Sequence, residues 1–479
     1  MNVDNHRLKS NKTLNEKIKI TLLLALPAVI ENFFQQSIGF VDTYFVSKIG
    51  LVEVSAVGVT NALLAIYFAI FMAIGVAVNV YVSNFLGANK IEKARHIAQQ
   101  AVVMAFILGV LSGLTTLFFA EPLLRLMGIT PDVLAVAAVY FRIVAIPSFL
   151  MSLTFVFSSI LRGSGNTKAP MIVSIVINIF HVLLDFVLIF GFAFIPALGI
   201  VGAAWATVIA RLIGVVGLYF YITKSKLIFF KKEYWKIDWG HQWELVTLGS
   251  PAAGERLVMR AGQIVYFGLI VALGTNSFAA HQIAGNIEVL SYMIGYGFAT
   301  AATILVGQQV GAHKYEEAKS YAQLCTFLSV SFMAVLGIFL FFLGEWIGSF
   351  FTNDPEVIND IKIALQISGL SQPFLAIVLV LTGAFQGANN TKFPMYLTAV
   401  GMWGVRTLFI YILGLYLGWG LGGVWLAIGL DILFKAIVLW MKFTRGKWIS
   451  TKTDPKRDPE SECHPQSTKE NMSCCVNNY

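Results

Sequence analysis

Twelve long apolar runs dictate what this chain can become. They lie at about residues 19–47, 54–85, 97–120, 132–161, 170–193, 199–222, 245–272, 278–309, 320–344, 358–386, 394–417 and 421–441. A helix needs ~20 such residues to cross the hydrocarbon of a bilayer, whereas a soluble core is assembled from shorter amphipathic segments. The strict apolar–polar alternation of a transmembrane barrel is absent. Each run must therefore be a helix, which satisfies its own backbone hydrogen bonds inside lipid. Charged residues make up 13% of the chain, about half the share in a soluble globular protein. The expected fold is all-α and polytopic, with twelve transmembrane helices.

The net charge of +8 suggests a polyanionic partner until its distribution is followed. With a cytoplasmic N-terminus, the inner side receives Lys17, Lys19, Lys90, Lys93, Arg95, Arg162, Lys168, Lys231, Lys232 and Lys314, among others. The outer side receives Lys48, Arg125 and Lys362 beside Glu121, Asp132, Glu345, Asp354 and Asp360. That asymmetry is the positive-inside rule. It predicts both termini in the cytoplasm and no nucleic-acid partner. The cysteines (Cys325, Cys463, Cys474, Cys475) show no metal-ligand spacing and no outer-face pairing. Three of them fall in a polar stretch, 446–479, that reads as a disordered cytoplasmic tail. The first run is too long for a cleaved signal peptide and no small-residue cleavage site follows it.

Displacing the chain against itself reveals a duplication. Pro27 meets Pro251, Glu31 meets Glu255 and Gly50 meets Gly274, a constant offset of 224. LGANKIEKARHIAQ (86–99) meets VGAHKYEEAKSYAQ (310–323), and RGSGNTKAPM (162–171) meets QGANNTKFPM (386–395). The register slips by three beyond this point, where Gly199 and Gly202 match Gly420 and Gly423. Six spans per half make the repeats parallel, related by a pseudo-twofold axis along the membrane normal, as in transporters. The expected organisation is a cytoplasmic N-terminus (1–18), an N-lobe (19–222), a linker (223–244), a C-lobe (245–445) and the tail. Two lobes predict a central cleft that rocks between inward-open and outward-open states. The shared Gly-Ala and Gly-X-Gly boxes read as structural, permitting tight turns or close helix approach. No catalytic constellation is apparent, so no enzyme activity and no cofactor are expected.

Charges inside spans are costly and mark functional positions. The N-lobe carries Glu31, Asp42 and Asp185 against Arg142 and Arg211; the C-lobe carries Glu255, Glu288 and Asp431 against Arg256, Arg260, Arg406 and Lys435. The acid surplus makes the N-lobe the expected seat of proton or cation binding. Glu31 and Asp42 share a face of the first span ~16 Å apart, with Gln35 on the same stripe. Asp42 and Asp185 lie at similar depth and are expected to converge, forming a pair able to take a proton or a small cation such as sodium. His181 stands one turn before Asp185 and is placed to share the proton. Thr207 is a further neutral oxygen, although a helical threonine commonly bonds its own backbone. Asp42 has Tyr266 as its repeat partner, so the acid is not duplicated. In the C-lobe an ion-pair network is the leading reading, with Glu255 a secondary coupling candidate.

The motifs together resemble the multidrug and toxic compound extrusion (MATE) family over residues 15–445. The resemblance rests on Pro27 with GFVDT (39–43), the LGA and VGA boxes, ILRGSGNTKAP, HVLLDFVLIFG, GAAWAT, AAHQI and FQGANNTKFP. It implies two six-helix lobes in a bacterial cell membrane and efflux of amphipathic or cationic organic compounds, driven by proton or sodium entry. It also implies functional aspartates matched by Asp42 and Asp185. Many members carry Asn where this chain has His181, which tilts the expectation towards protons. The branch named for DNA-damage-inducible protein F looks closest. Glu31, Gln35, Glu255 and Tyr266 are carried as substrate-binding or secondary coupling candidates, with drugs and membrane lipid as partners and a monomer as the working unit. The rival within transport is a flippase for lipid-linked oligosaccharide or lipid. Twelve spans and an acidic N-lobe argue against it, as such relatives often have fourteen spans and a cationic cavity.

Overall fold

The computed structural model describes residues 12–192, 196–225, 227–446 and 448–449. The expected tail and the first eleven residues lie outside them, apart from a few positions at the tail's start. Thirteen α-helices follow in order: α1 (Leu14–Ser47), α2 (Leu51–Gly87), α3 (Ile91–Arg125), α4 (Pro131–Ala145), α5 (Ser148–Gly163), α6 (Lys168–Phe190), α7 (Ile200–Thr223), α8 (Trp239–Val271), α9 (Thr275–Gly311), α10 (Tyr315–Ser349), α11 (Pro355–Gly387), α12 (Lys392–Val400) and α13 (Gly420–Thr444). Ten membrane-length apolar helices are present when α12 is counted with its extension to Tyr416. The pair α4–α5 supplies an eleventh by the same measure; α8, with Glu255, Arg256 and Arg260 at its middle, falls outside that measure of apolarity but, at 33 residues, is long enough to cross and completes the twelve. The protein is a multi-pass membrane protein of two six-helix lobes, α1–α7 and α8–α13.

Two spans depart from the straight helices expected. The fourth, read as continuous over 132–161, breaks between α4 and α5 with a bend of 47°. Pro147 sits at the break; it has no N–H to donate and its ring crowds the preceding turn. The eleventh continues beyond α12 as π-helical turns, Gly401–Thr407 and Ile410–Tyr416. Such widened turns alter the angular position of the side chains that follow them, Arg406 among these.

Four helices that run back to the N-terminal face end in one motif. The backbone N–H groups of Lys90, Asn166, Lys314 and Asn390 donate to Phe85, Leu161, Gln309 and Phe385, at 2.8, 2.9, 2.8 and 2.9 Å. The residues before them, Asn89, Gly165, His313 and Asn389, are left-handed, with φ of 60°, 84°, 57° and 61°. This is the Schellman cap, which satisfies the last carbonyls of a helix. The duplicated sequence boxes are thus four copies of one helix stop.

The lobes meet along the same face through pairs related by the duplication. A Cβ on Gly87 would collide with the Gln308 carbonyl, and one on Gly311 with that of Asn84. Since Asn84 and Gln308 are themselves repeat partners, the two contacts are exchanged by the pseudo-twofold axis, as in an isologous interface. Asn84 Nδ2 also donates to Gly387 O at 3.1 Å, and Lys17 pairs with Glu317 at 2.7 Å. Away from this face, Gln35 and Gln36 of α1, Arg260 of α8 and Gln282 and Asn286 of α9 are exposed. Polar groups at such depth belong to a water-filled cleft. The lobes are therefore closed at the N-terminal face and parted at the opposite one.

The linker is docked rather than loose. α3 is ~50 Å long, longer than the ~30 Å hydrocarbon core, and its first turns bind the linker. Gln99 Nε2 donates to Lys231 O at 2.7 Å, and Gln100 Nε2 donates to Tyr234 O and Lys236 O at 2.8 and 2.7 Å. Glu92 accepts from Lys231 Nζ and Tyr234 OH at 2.7 and 3.0 Å. These bonds hold the Glu92 carboxyl below the usual carboxylate range, the Lys231 contact most of all.

Gly87→Val and Gly311→Val are expected to lower thermal stability of the purified protein by about 1–3 kcal/mol, the usual cost of overpacking. Gly58→Ala, where an added Cβ meets nothing within 4 Å, should not. Equal unfolding temperatures for Gly87→Val and Gly58→Ala would contradict the seam.

Candidate functional site

The structure brings Asp42, His181, Asp185 and Thr207 together. α1 lies against α6, and α6 against α7. The one-turn spacing of His181 and Asp185 aims both at Asp42 from the same face of α6. His181 Nε2 is 3.4 Å from Asp42 Oδ1, and His181 Nδ1 is 3.4 Å from Asp185 Oδ2. Thr207 Oγ1 donates to Ala203 O at 3.0 Å and lies 3.4 Å from His181 Nε2. All four residues are buried, Asp185 completely.

The electrostatics of the cluster are unfinished. Among the described residues, both oxygens of Asp185, Oδ1 of Asp42 and Nδ1 of His181 make no hydrogen bond of regular geometry. One ligand-capable atom from each of the three residues falls within 4.8 Å of the others. Two buried carboxylates so close repel unless a proton or cation stands between them. Tyr140 from α4 and Arg211 from α7 border the cluster, with Arg211 Nη1 donating to Val144 O at 3.1 Å. Arg211 leaves the two acids in excess over fixed cations. Tyr140 had no sequence signal beyond being one aromatic among many.

The other candidates lie elsewhere. Glu31 is buried on α1 and accepts from Arg162 Nη1 at 3.0 Å and Gln35 Nε2 at 3.2 Å. The expected surplus of three acids over two bases is corrected accordingly: Glu31 has a dedicated cation, and the excess rests with Asp42 and Asp185. Arg162 was assigned to a loop in the sequence. It occupies the last turn of α5, and its long side chain reaches back into the lobe.

In the C-lobe, Asp431 Oδ2 accepts from Arg406 and Lys435, each at 2.9 Å. The expected ion-pair network is confined to this triad among the described residues. Glu255 accepts instead from Thr398 Oγ1 at 3.1 Å and Glu288 from Ser368 Oγ at 3.0 Å. Tyr266 is buried, packed edge-on to Phe267 and His281 with centroids 5.1 and 6.1 Å away. The Arg406 guanidinium lies 5.9 Å from the centre of its ring.

Comparison with known proteins gives the same duplication independently. The family model described as MatE matches residues 27–187 and again 251–412. The probable multidrug resistance protein NorM of Thermotoga maritima is 32% identical over 432 residues, covering 90% of this chain and 93% of that protein. The multidrug resistance protein PmpM of Pseudomonas aeruginosa is 25% identical, covering 90% and 92%. Among solved structures, the outward-facing conformation of a multidrug resistance MATE family transporter of the MOP superfamily superposes with a TM-score of 0.84. It is 22% identical, over 92% of this chain and 99% of that one. A MOP superfamily transporter from Pyrococcus furiosus also gives 0.84, at 22% identity over 90% and 96%. At that identity the structural likeness concerns the fold.

Arg162→Gln leaves the buried Glu31 carboxylate without its cation. Breaking one side of such a pair costs about 3–5 kcal/mol, read as a fall in thermal unfolding temperature. The double variant Glu31→Gln with Arg162→Gln should recover most of the loss. Failure of the double variant to recover would show that packing of Arg162, not its charge, matters.

Proposed function

The chain belongs to the MatE family of membrane transporters, and we propose that it exports amphipathic or cationic organic compounds in exchange for protons that enter through Asp42, His181 and Asp185. One observation carries the choice of proton: the His181 imidazole turns one ring nitrogen towards each of two neighbouring carboxylates. A ring in that position holds a proton for either acid. A hard cation such as sodium seeks a shell of oxygens, and here the group beside both acids is a nitrogen-bearing ring. Thr207 orients the ring through its hydroxyl and contributes no charge.

The mechanism follows from where the excess charge lies. With Asp42 and Asp185 ionised, the cleft side of the N-lobe attracts a cationic compound. Protonation removes that charge and the mutual repulsion of the acids, so α1 and α6 pack more closely and the compound is released to the outside. The parted lobes, with Gln35 and Arg260 exposed, fit the outward-open half of such a cycle. The positive-inside asymmetry supports a cytoplasmic position for the closed, N-terminal face. The names of the relatives, multidrug resistance proteins, agree with this class of substrate.

Asp42→Asn is expected to abolish efflux of a cationic dye while leaving membrane insertion intact; full efflux by that variant would sink the proposal. In proteoliposomes holding the unmodified chain, an imposed proton gradient should drive transport and a sodium gradient should not. Transport driven by sodium alone would overturn the role given to His181.

A further inference from the structure

A second cluster of metal-capable side chains lies outside the transport cleft, where the linker docks on α3. His96 comes from the second turn of α3, Asp238 is the cap of α8, and His241 lies in the first turn of α8. His241 Nδ1 is 2.8 Å and His96 Nε2 3.8 Å from the same oxygen, Asp238 Oδ2. One ligand-capable atom from each residue lies within 4.8 Å of the other two. We propose that His96, Asp238 and His241 form a binding site for a divalent transition metal, with zinc as its natural fit, that staples the linker and α8 to the N-lobe.

The donor set is that of an open zinc site, with two imidazoles, one carboxylate and a fourth position for water. Zinc bonds of 2.0–2.2 Å in a tetrahedron place ligand atoms about 3.4 Å apart, and the observed 2.8 and 3.8 Å bracket that spacing. The three residues are partly exposed, so a cation reaches them from the aqueous side without crossing the lobe.

The surrounding contacts hold the ligands in place, as outer contacts do in metal sites. Asp238 Oδ1 accepts from the backbone N–H of Gly240 and His241, at 2.9 and 3.4 Å, which leaves Oδ2 turned towards the imidazoles. Gln100 Oε1 accepts from Asp238 N at 3.1 Å and from Gln242 Nε2 at 2.8 Å, fixing the cap against α3. Tyr234 stacks on His96 with centroids 4.5 Å apart and planes 23° from parallel, and His241 contacts His96 at 4.3 Å. Two imidazoles and a carboxylate gathered in one small volume are a donor set suited to a borderline cation such as zinc.

The test uses the full chain, free of affinity tags, with Cys463, Cys474 and Cys475 changed to Ser because tail thiolates also take zinc. Competition against a fluorescent zinc chelator should show one tight equivalent. Zinc should raise the unfolding temperature, since it binds only the folded arrangement, and magnesium should not. His96→Gln or His241→Gln should weaken zinc at least tenfold and remove the thermal shift, while Asp42→Asn leaves both unchanged. If either histidine variant loses its fold, the parent chain still decides: cobalt should give the visible bands of a tetrahedral site. No zinc above background, or zinc that follows Asp42 and ignores His96, overturns the proposal.

Discussion

The seam between α2 and α9 sets the rest of the molecule. Gly87 and Gly311 allow each helix to rest directly on the backbone of the other, and the reciprocity of the contact places the pseudo-twofold axis between them. Without a hydrophobic driving force inside lipid, helices associate where small residues let backbones approach. Concentrating that approach at one face leaves the other half of the same helices free to part. Gln35 of α1 and Arg260 of α8 are exposed at the end away from these glycines.

Duplication gave two lobes with one architecture, but their buried polar groups do different things. In the N-lobe, Asp42 and Asp185 lie together beside His181 with hydrogen-bonding capacity to spare. In the C-lobe the position of Asp42 holds Tyr266, with the Arg406 guanidinium beside its ring. Arg406 is in turn committed to Asp431, which also receives Lys435. The pseudo-symmetric region of the C-lobe is thus internally bonded, with Arg406 and Lys435 set against Asp431 and Glu288 nearby, while that of the N-lobe holds two acids without such partners. On the proposed cycle, only the N-lobe changes charge and the C-lobe serves as a fixed counterpart.

Much of this was legible in the sequence because lipid is a severe solvent. Apolar length alone gave twelve spans, and the constant offset gave two parallel lobes. The cluster of Asp42, His181 and Asp185 was also visible, since a one-turn spacing on α6 and a matching depth on α1 fix where side chains meet. Features that depend on reach or on breaks were not. Pro147 gave no warning in a run apolar on both sides, so the fourth span looked continuous. Arg162 looked like loop charge because its side chain travels back along α5, beyond what residue position conveys. The linker looked like a basic tether, whereas Gln99 and Gln100, at the start of an apparent span, hold it down through amides that carry no charge signal.

The first helix shows how these parts depend on one another. In its middle turns, Ala25 and Val29 pack against Gly297 of α9 and Glu31 is bonded to Arg162; towards its far end Asp42 meets His181. One rigid element therefore touches the partner lobe, an ion pair of its own lobe and the proposed proton site. Pro27 lies between the lobe contacts and removes one backbone bond from the interior of α1. A change of charge at Asp42 bears on the far end of α1, while the lobe contact and the Arg162 bond hold its middle turns. Pro27 lies inside the held stretch, between Ala25 and Val29, so movement of the far end is taken up between Glu31 and Asp42. On the proposed cycle, a proton arriving at the cleft therefore moves the far end of α1 while its contact with the partner lobe stays in place.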